Sequence, residues 1–387
     1  MMQDRIYMDN SATSQPDPQV VKAMLPYFIE QYAVASSQFS HTPGIQAREG
    51  LDQAREIITK KLNAEQESVI FTSGGTESNN LALKGTAWAH QGKKNHLVIS
   101  KIVHNSVLHS AQWLEKQGFD ITYIDVDEQG FIDPDHIREA ITNQTILVSV
   151  QHANHEVGTI QPVQEIARIC QDADTLFHID ACRSFTMLDL NLQTLPADLV
   201  SITGHLIHGP KGVGALYIRP GTKIQKWQHG GYHEFDKRAG TENVAGIVGF
   251  GKSVELAQQK HVDYIRGLQK QLMDGLIQEI KGTVINGPLD PDKRHPGNVN
   301  VSFSRVEGES VVLHLDMKGI SVITGSACFS RSLEPSYVMM AMGFSHERAH
   351  GSIRFTLSRF NQESEIGRVI RSCNDVVESL RKISPLQ

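Results

Sequence analysis

Short β-rich runs that alternate with helix-compatible segments constrain the fold of this chain more than any other feature. The runs are rich in Val, Ile, Leu, Phe and Thr and are bounded by turn residues, as strands are. Many intervening segments carry apolar residues at helical spacing, as Leu51, Ala54, Ile58 and Leu62 do. This alternation predicts an α/β fold with a largely parallel sheet. The predicted strands cover residues 68–72, 96–100, 121–126, 146–151, 175–180, 198–203 and 213–218.

The last third of the sequence has a different pattern and predicts a smaller second domain. It starts with a long amphipathic helix from about residue 252 and continues as an α+β mixture. Two domains are the general expectation for a chain of 387 residues. We predict a large α/β domain over residues 16–252 and a small α+β domain over residues 253–387, with residues 1–15 packing against either. The small domain is predicted to hold strands near 298–304 and 352–358, helices near 309–317 and 363–381, and a loop at 323–333.

Composition and charge exclude several classes of protein. With 40% hydrophobic and 21% charged residues, the chain is neither disordered, collagen-like nor a coiled coil. A net charge of −6 without blocks of like charge favours no nucleic-acid or anionic-membrane partner, so we expect a small molecule or a protein. The sequence shows no apolar signal segment and no run near the roughly 18 apolar residues of a membrane span. We therefore expect a cytoplasmic protein.

The four cysteines are too sparse for a disulfide framework and predict thiols in a reducing compartment. Cys170 and Cys373 lie in apolar helical patterns and are predicted to be core residues. Cys182 lies next to a strand end, so the sequence leaves open whether it is a core residue or part of a functional site. Cys328 ends the small-residue loop segment 325–328, so an exposed thiol is expected there. It is a candidate nucleophile, with an incidental surface cysteine as the alternative.

Polar turns follow three of the predicted strands, at the edge where ligands bind in open α/β sheets. Residues 73–77 (SGGTE) combine two glycines with Thr76, which is expected to cap the next helix. This turn predicts a phosphate cradle or an ordinary strand-to-helix turn. Asp180 is the last residue of the predicted strand 175–180. It is a candidate for a cofactor anchor, a helix cap or one partner of a buried ion pair. Residues 203–212 are dense in Gly and His and suggest a site.

An ordered series of motifs along essentially the whole chain resembles the cysteine desulfurases. The resemblance is closest to their iron-sulfur-cluster branch, whose catalytic cysteine lies in a long loop reading GSAC. It implies the pyridoxal-phosphate (PLP) transferase fold of type I, with a mostly parallel seven-stranded sheet in the large domain, and a homodimer. The motifs are residues 7–13 (YMDNSAT), 73–80 (SGGTESNN), 154–162 (NHEVGTIQP), 178–181 (HIDA), 209–217 (GPKGVGALY), 238–243 (RAGTEN), 325–328 (GSAC), 333–337 (LEPSY) and 352–355 (SIRF).

The resemblance also implies roles for individual residues in binding PLP and L-cysteine. Asp180 would pair with the pyridine nitrogen and keep the ring an electron sink, and His104 would stack on the ring and move protons. Cys328 would take the sulfur of L-cysteine as a persulfide and pass it to an acceptor protein. The other implied roles are Gly75, Thr76, Thr203, His205 and the partner subunit's Thr241 for the phosphate, Asn154 for the ring oxygen and the substrate, and Arg354 for the substrate carboxylate.

Two departures from the family pattern lie where the cofactor is expected. The family carries its Schiff-base lysine directly after the position of His205, and here that residue is Leu206. The change removes a covalent anchor and an acid–base group, and acid–base catalysis alone contributes about 10²–10⁴-fold. Arg183 replaces a glutamine that hydrogen-bonds the ring oxygen, so it would stabilise a phenolate there or bind a different anion.

These departures leave three functions open. The first is a desulfurase-like protein with non-covalent PLP, weak or partner-dependent, that loads Cys328 from L-cysteine or another persulfide donor. The second is a non-catalytic homologue that acts as a dimeric scaffold, regulator or sulfur acceptor. The third is a different reaction, assisted by Arg183 or by a metal. We predict no metal site, because satisfied or exposed histidines are the simpler interpretation of His104, His155, His205 and His208.

Overall fold

Strands and helices alternate through most of the chain in a computed structural model, which describes residues 5–325 and 335–383. None of the helices in these ranges is long and apolar enough to cross a membrane. The strands described are β1 (Ile6–Tyr7), β2 (Val69–Thr72), β3 (His96–Ser100), β4 (Asp120–Ile124), β5 (Thr145–Gln151), β6 (Leu176–Asp180), β7 (Leu199–Thr203), β8 (Gly214–Ile218), β9 (Thr283–Ile285), β10 (Asn298–Phe303), β11 (Ile320–Ser321) and β12 (Ser352–Thr356). The helices described are α1 (Pro18–Met24), α2 (Pro26–Ile29), α3 (Thr42–Leu62), α4 (Gly75–Asn80), α5 (Thr86–His90), α6 (Asn105–Glu115), α7 (Pro134–Ala140), α8 (Val163–Asp172), α9 (Val244–Leu256), α10 (Gln259–Glu279), α11 (Gly308–Met317), α12 (Tyr337–Ala341), α13 (His346–His350) and α14 (Glu363–Ile383), with a π-helical turn (Leu81–Gly85) joining α4 to α5 and short 3-10 turns at Ala35–Ser37, Gln66–Ser68 and Glu234–Asp236.

The large sheet contains seven of the described strands, in the order β2-β8-β7-β6-β5-β3-β4. The strands from β7 to β4 pair in parallel, whereas β8 pairs antiparallel with both β2 and β7. Strand β2 therefore runs in the same direction as the parallel strands, and the carboxyl ends of all these strands lie along one edge of the sheet. This confirms the predicted mostly parallel sheet, and each of these strands begins and ends within two residues of its predicted run.

Apolar side chains cover both faces of the large sheet. Leu51 of α3 and Phe250 of α9 belong to the core on one face. Leu81 and Val107 belong to the core on the other face. Burial on both sides explains why the strand sequences are almost continuously apolar and do not alternate with polar residues.

The residues that follow α9 build a separate core. In the described part of the chain, β12-β10-β9 form an antiparallel sheet, and β1 pairs in parallel with β11. Leu272 of α10, Phe355 of β12 and Val369 of α14 are buried together in this core. The N-terminal segment contacts both parts of the protein, because β1 joins the second core while the Ser14 amide donates to the carbonyl oxygen of His205 at 2.8 Å.

The long helix predicted from about residue 252 is in fact two helices. Helix α9 ends at Leu256 and α10 begins at Gln259, with Ala257 in an extended conformation between them. Helix α9 packs on α1 and α3, whereas α10 packs on α14. The chain must bend here to pass from one core to the other. The prediction is therefore wrong about where this helix begins, because the apolar residues of α9 continue with little interruption into α10 and hide the break between the two helices.

Candidate active site

A cavity of about 710 Å³ opens at the carboxyl edge of the large sheet. Residues that follow β2, β3, β6 and β7 form its wall together with the N-terminal residues 11–13 and Arg354 of β12. This is the edge at which ligands bind in open α/β sheets. The sequence-predicted residues that line the cavity are Gly75, Thr76, His104, Asp180, Arg183, Thr203, His205 and Arg354.

Two other predicted site residues, Asn154 and Thr241, do not line the cavity, and a third lies outside the described residues. Asn154 is buried behind the cavity wall, where its Oδ1 accepts hydrogen bonds from two backbone amides at 2.9 Å and its Nδ2 donates to the carbonyl oxygen of Ile102 at 2.8 Å. Thr241 is exposed and lines a neighbouring pocket. Cys328 lies outside the described residues. The roles of these three residues stay predictions.

In the turn after β2, the Glu77 carboxylate and not the Thr76 hydroxyl accepts a hydrogen bond from a backbone amide. Helix α4 begins at Gly75, and its N-cap is Gly74, whose φ of 151° favours glycine. The Ser73 amide donates to the Glu77 carboxylate at 2.6 Å, which fixes the turn. The prediction that Thr76 caps this helix is therefore wrong. Thr76 lies in the first helical turn, exposed on the cavity wall.

Asp180 lies at the end of β6 and is only 2% exposed. Its Oδ2 accepts a hydrogen bond from Nδ2 of Asn79 at 2.9 Å, and its Oδ1 accepts one from the Cys182 amide at 3.0 Å. No ion pair among residues 5–325 and 335–383 involves this carboxylate. Because a buried charge without an opposite charge is costly, a cationic group of a ligand would stabilise it.

His104 is the N-cap of α6 and is joined to Asp180 by a chain of hydrogen bonds. Its Nδ1 accepts from the Ser106 amide at 3.2 Å. Oγ of Ser106 lies 2.8 Å from this Nδ1 and 2.8 Å from Nδ2 of Asn79, which in turn donates to Asp180. Burial lowers the pKa of His104, and the nearby Asp180 opposes this effect in part. The imidazole is therefore neutral at pH 7, with its proton on Nε2.

Thr203 and His205 lie beside the turn at residues 73–77 on the cavity wall. Burial lowers the pKa of His205, and the positive charges of Lys211 and Arg183 lower it further. A neutral imidazole donates one N–H, and the threonine supplies a hydroxyl. Together with the backbone amides of a helix start, these are groups that bind phosphate.

Cys182 is a packing residue in this wall. An ideal Cβ added at Gly75 would lie 2.5 Å from its Sγ, so the glycine is required for this close approach. Burial raises the pKa of the Cys182 thiol well above its usual value, and the Asp180 carboxylate raises it further. The thiol is therefore protonated at neutral pH and is a poor nucleophile.

Comparison with known proteins agrees with these features. The model of the aminotransferase class-V family matches residues 6–369. The chain belongs to this family. The cysteine desulfurase IscS of Clostridium botulinum is 45% identical over 388 aligned residues, which cover 100% of this chain and 97% of the relative. The IscS of Methanosarcina thermophila is 46% identical over 384 residues, which cover 98% and 94%.

A solved structure described as a NifS-like protein superposes on the chain with a TM-score of 0.91. It is 33% identical and covers 97% of this chain and 100% of its own. Together these similarities confirm the predicted resemblance to cysteine desulfurases and the fold of PLP enzymes. Membership of the class-V aminotransferases implies PLP as the cofactor.

Leu206 departs from this family at the position where the resemblance places the Schiff-base lysine. Its side chain is half-buried and lines the cavity. Among the described residues, Lys211 is the one lysine on the cavity wall, and it is exposed there. The described wall therefore presents a hydrocarbon side chain at the position where the resemblance implies an amine.

The histidines of the cavity do not form a metal site in the described part of the chain. No three His, Cys, Asp or Glu side chains among these residues are placed to hold a metal ion. The ring of His155 contacts that of His104 edge to face, with 5.3 Å between the centroids. His208 lies outside the cavity wall, with its Nδ1 2.8 Å from the carbonyl oxygen of Gln15.

Glu156 is a buried acid whose importance the sequence did not indicate, because it lay inside a motif without a role of its own. Its carboxylate accepts a hydrogen bond from the Ser336 hydroxyl, and a Cβ added at Gly325 would lie 2.5 Å from its Oε2. Gly325 and Ser336 flank the segment 326–334, so described residues on both sides of that segment meet at one carboxyl group. Burial raises the pKa of Glu156 to about 7.

We expect Glu156→Gln to change how stability depends on pH. Because the folded protein holds the proton of Glu156 more tightly than the unfolded chain does, the wild type is stabilised below about pH 4.5 and loses this contribution as the pH rises through about 7. The loss is at most about 3 kcal/mol. The melting temperature of the variant should therefore rise by roughly 3 °C relative to that of the wild type between pH 5 and pH 8.

The exposed Glu279→Gln variant is the matched control for losing one acidic group. Its melting temperature should differ from that of the wild type by the same amount at every pH. A pH-independent difference for Glu156→Gln as well would contradict the prediction.

Proposed function

We propose that this desulfurase relative mobilises sulfur from L-cysteine with PLP bound in the cavity without a covalent link. The observation that carries the proposal is one cavity in which the buried carboxylate of Asp180 forms no ion pair with any described residue, while Leu206, the side chain at the expected lysine position, is apolar. The relatives named as cysteine desulfurases support sulfur mobilisation from cysteine. A further solved structure is described as SspA in complex with cysteine and is 32% identical.

The donors of the cavity wall fit PLP. Two hydroxyl oxygens of the wall, Oγ of Ser11 and Oγ1 of Thr13, are buried without a hydrogen-bond partner, so a polar ligand would satisfy them. When bound, PLP supplies an electron sink for amino-acid chemistry. The residues proposed to hold it are Asp180 at the ring nitrogen, His104 at the ring face, Arg183 at the ring oxygen, Gly75, Thr76, Thr203 and His205 at the phosphate, and the partner subunit's Thr241 at the same phosphate.

Side chains of this protein would bind the substrate and transfer the proton. Arg354 would bind the carboxylate of L-cysteine, because a guanidinium matches a carboxylate with two parallel hydrogen bonds. His104 would hold the proton that the family lysine holds elsewhere, since its imidazole is neutral and hydrogen-bonded through Ser106. Without the lysine amine we propose slow turnover, or turnover that needs a partner protein, because acid–base catalysis contributes about 10²–10⁴-fold.

Cys328 would carry the sulfur. The overall transfer balances as L-cysteine plus the Cys328 thiol giving L-alanine plus the Cys328 persulfide, so no external oxidant or reductant is needed. An acceptor protein with a thiol would then take the outer sulfur atom by thiol exchange. A persulfide donor other than L-cysteine would load the same residue.

A homodimer is proposed from an exposed apolar surface near the start of the chain. The exposed side chains include Phe28, Ile29, Tyr32 and Phe39, which are 59%, 73%, 76% and 92% exposed. Helices α1 and α2 pack on α9, whose start is preceded by Thr241. A second copy on this surface would bury it, and large exposed apolar patches are uncommon on soluble monomers.

A non-catalytic scaffold, regulator or sulfur acceptor is the second candidate. The apolar side chain of Leu206 at the position of the expected lysine favours it, because this change removes the covalent anchor and leaves the fold intact. Such a protein would keep the dimer and would bind PLP weakly or not at all.

A PLP titration followed by the absorbance of the bound cofactor tests the proposal. We expect saturable binding to the wild type and an affinity about 10- to 100-fold lower for Asp180→Asn, since one charge-assisted interaction contributes about 1.5–3 kcal/mol. Asp198→Asn is the matched control, because Asp198 is also buried but lies away from the cavity wall. Its PLP affinity should equal that of the wild type.

L-Alanine formation from L-cysteine in the presence of PLP and a thiol reductant separates the two candidates. Formation above the rate of free PLP supports the proposed desulfurase function. PLP binding without L-alanine, both for the protein alone and with an added thiol-bearing acceptor protein, contradicts it and favours the scaffold, and so does the absence of PLP binding.

A further inference from the structure

Two buried arginines lie next to each other on the cavity wall. Arg183 is 9% exposed and Arg354 is 7% exposed. Nη2 of Arg354 lies 3.3 Å from Oδ1 of Asp9, and Nη1 of Arg183 donates to the carbonyl oxygen of Asn10 at 3.3 Å. The two arginines thus contact consecutive residues of one segment and line the same cavity, and the positive charge of Arg354 lowers the pKa of Arg183, as expected for neighbouring cations.

The described residues do not balance the positive charges of this pair. Asp9 forms its ion pair with Arg354, and within residues 5–325 and 335–383 Arg183 forms no ion pair. The Nε of Arg354 is buried without a hydrogen-bond partner. Two cations therefore share one carboxylate, and buried charges are stable when they are paired. An anionic ligand would supply the missing charge.

Among the described residues, the other acids near the cavity form no ion pair with either arginine, and the charge of Arg354 opposes only in part the effect of burial on the pKa of Glu156. Asp180, Glu77 and Glu156 accept hydrogen bonds from groups other than this pair. Burial and the positive charge of Arg354 lower the pKa of Arg183 to about 9, so the guanidinium remains protonated at neutral pH. His104 and His155, which face the same space, contribute no negative charge in either protonation state.

We propose that Arg183 and Arg354 bind a small dicarboxylate, one carboxylate to each guanidinium. Each guanidinium presents N–H donors in a planar fork that matches a carboxylate. The family resemblance assigns only Arg354 to a ligand carboxylate, whereas Arg183 stands where the family has an uncharged glutamine. The second cation therefore selects for a second acidic group on the ligand.

Such a site goes beyond the proposed desulfurase function, because it needs neither an amino group nor sulfur on the ligand. It uses Arg183 as an alternative to the contact proposed between this residue and the PLP ring oxygen, so the titration is made on protein without PLP. A four-carbon dicarboxylate, with or without an amino group, would occupy Arg354 and so compete with L-cysteine for the cavity. The two adjacent buried cations thus indicate that the ligand class is the dicarboxylates.

Calorimetric titration with succinate and with butyrate tests the dicarboxylate site. Both acids have four carbons, and they differ in the second carboxylate. At fixed ionic strength in a phosphate-free buffer, we expect the wild type to bind succinate about 10- to 100-fold more tightly than butyrate. Arg183→Gln should bind the two acids equally while keeping the butyrate affinity of the wild type. Arg183→Lys, which keeps a charge but not the fork, should retain part of the preference.

Lys211→Gln is the matched control, because it removes an exposed cation from the same cavity wall. The preference for succinate should survive in this variant. Equal binding of the two acids by the wild type would overturn the proposal. A preference that persists in Arg183→Gln, or that falls equally in Lys211→Gln, would also overturn it, and so would sulfate binding as tightly as succinate.

These readouts use neither PLP turnover nor persulfide. Failure of the dicarboxylate site therefore leaves the desulfurase proposal standing, and failure of L-alanine formation leaves the dicarboxylate site standing.

Discussion

Replacing Leu206 with lysine should produce a bond between the protein and PLP that borohydride reduces and makes permanent. The side chain at residue 206 lines the cavity, so an amine there would reach the cofactor aldehyde. L-Alanine formation should rise about 100-fold or more, because the substitution supplies both a covalent anchor and an acid–base group. Mass spectrometry after borohydride reduction would locate the bond, and a coupled assay would measure L-alanine.

Lys211 already lies on the described cavity wall in the wild type, so a control must show that it is not the residue that bonds to PLP. The double variant Leu206→Lys with Lys211→Gln should keep the reducible bond at residue 206. Leu206→Met, which is close in volume and has no amine, should give no such bond. A folded, PLP-bound Leu206→Lys variant without the bond would show that the cavity does not present residue 206 to the cofactor. A bond without a gain in L-alanine would favour the non-catalytic function.

Replacing Cys328 with serine should abolish protein-bound persulfide after incubation with L-cysteine and PLP. A hydroxyl of ordinary acidity does not form the thiolate that accepts sulfur, so the expected loss is complete. Persulfide would be measured by alkylation and mass spectrometry of the cysteine-containing peptides. PLP affinity should stay at the wild-type value, which separates sulfur transfer from cofactor binding.

Cys182→Ser is the matched control, because Cys182 is the cysteine that lines the described cavity wall. Burial raises the pKa of this thiol well above its usual value, so it should not compete as a nucleophile. Persulfide should therefore still form on Cys328 in this variant. Sulfur that accumulates in Cys328→Ser but disappears in Cys182→Ser would assign the carrier role to Cys182.

The strands of the large sheet could be read from the sequence because they are buried on both faces. Their short apolar runs stand out against polar turns, and the structure places each strand within two residues of its run. The short strands β1, β9 and β11 have two or three residues, too few to show a period. The sequence did not show the break between α9 and α10, because only two residues separate the helices and what distinguishes them is their different packing partners.

The sequence by itself determined the fold class and the strand-end positions of Asp180 and of the turn at 73–77, because these depend on local composition and order. The family resemblance, and not the composition, implies that Leu206 stands in place of a lysine. Tertiary structure decided which of these residues share a cavity, since the order β2-β8-β7-β6-β5-β3-β4 differs from the order along the chain. It also brought Arg354 of the second core beside Arg183 of the first, and their long-range proximity has no signature in sequence spacing. The separation of Asn154 from the cavity has the same origin, because its polar atoms are held by neighbouring backbone groups.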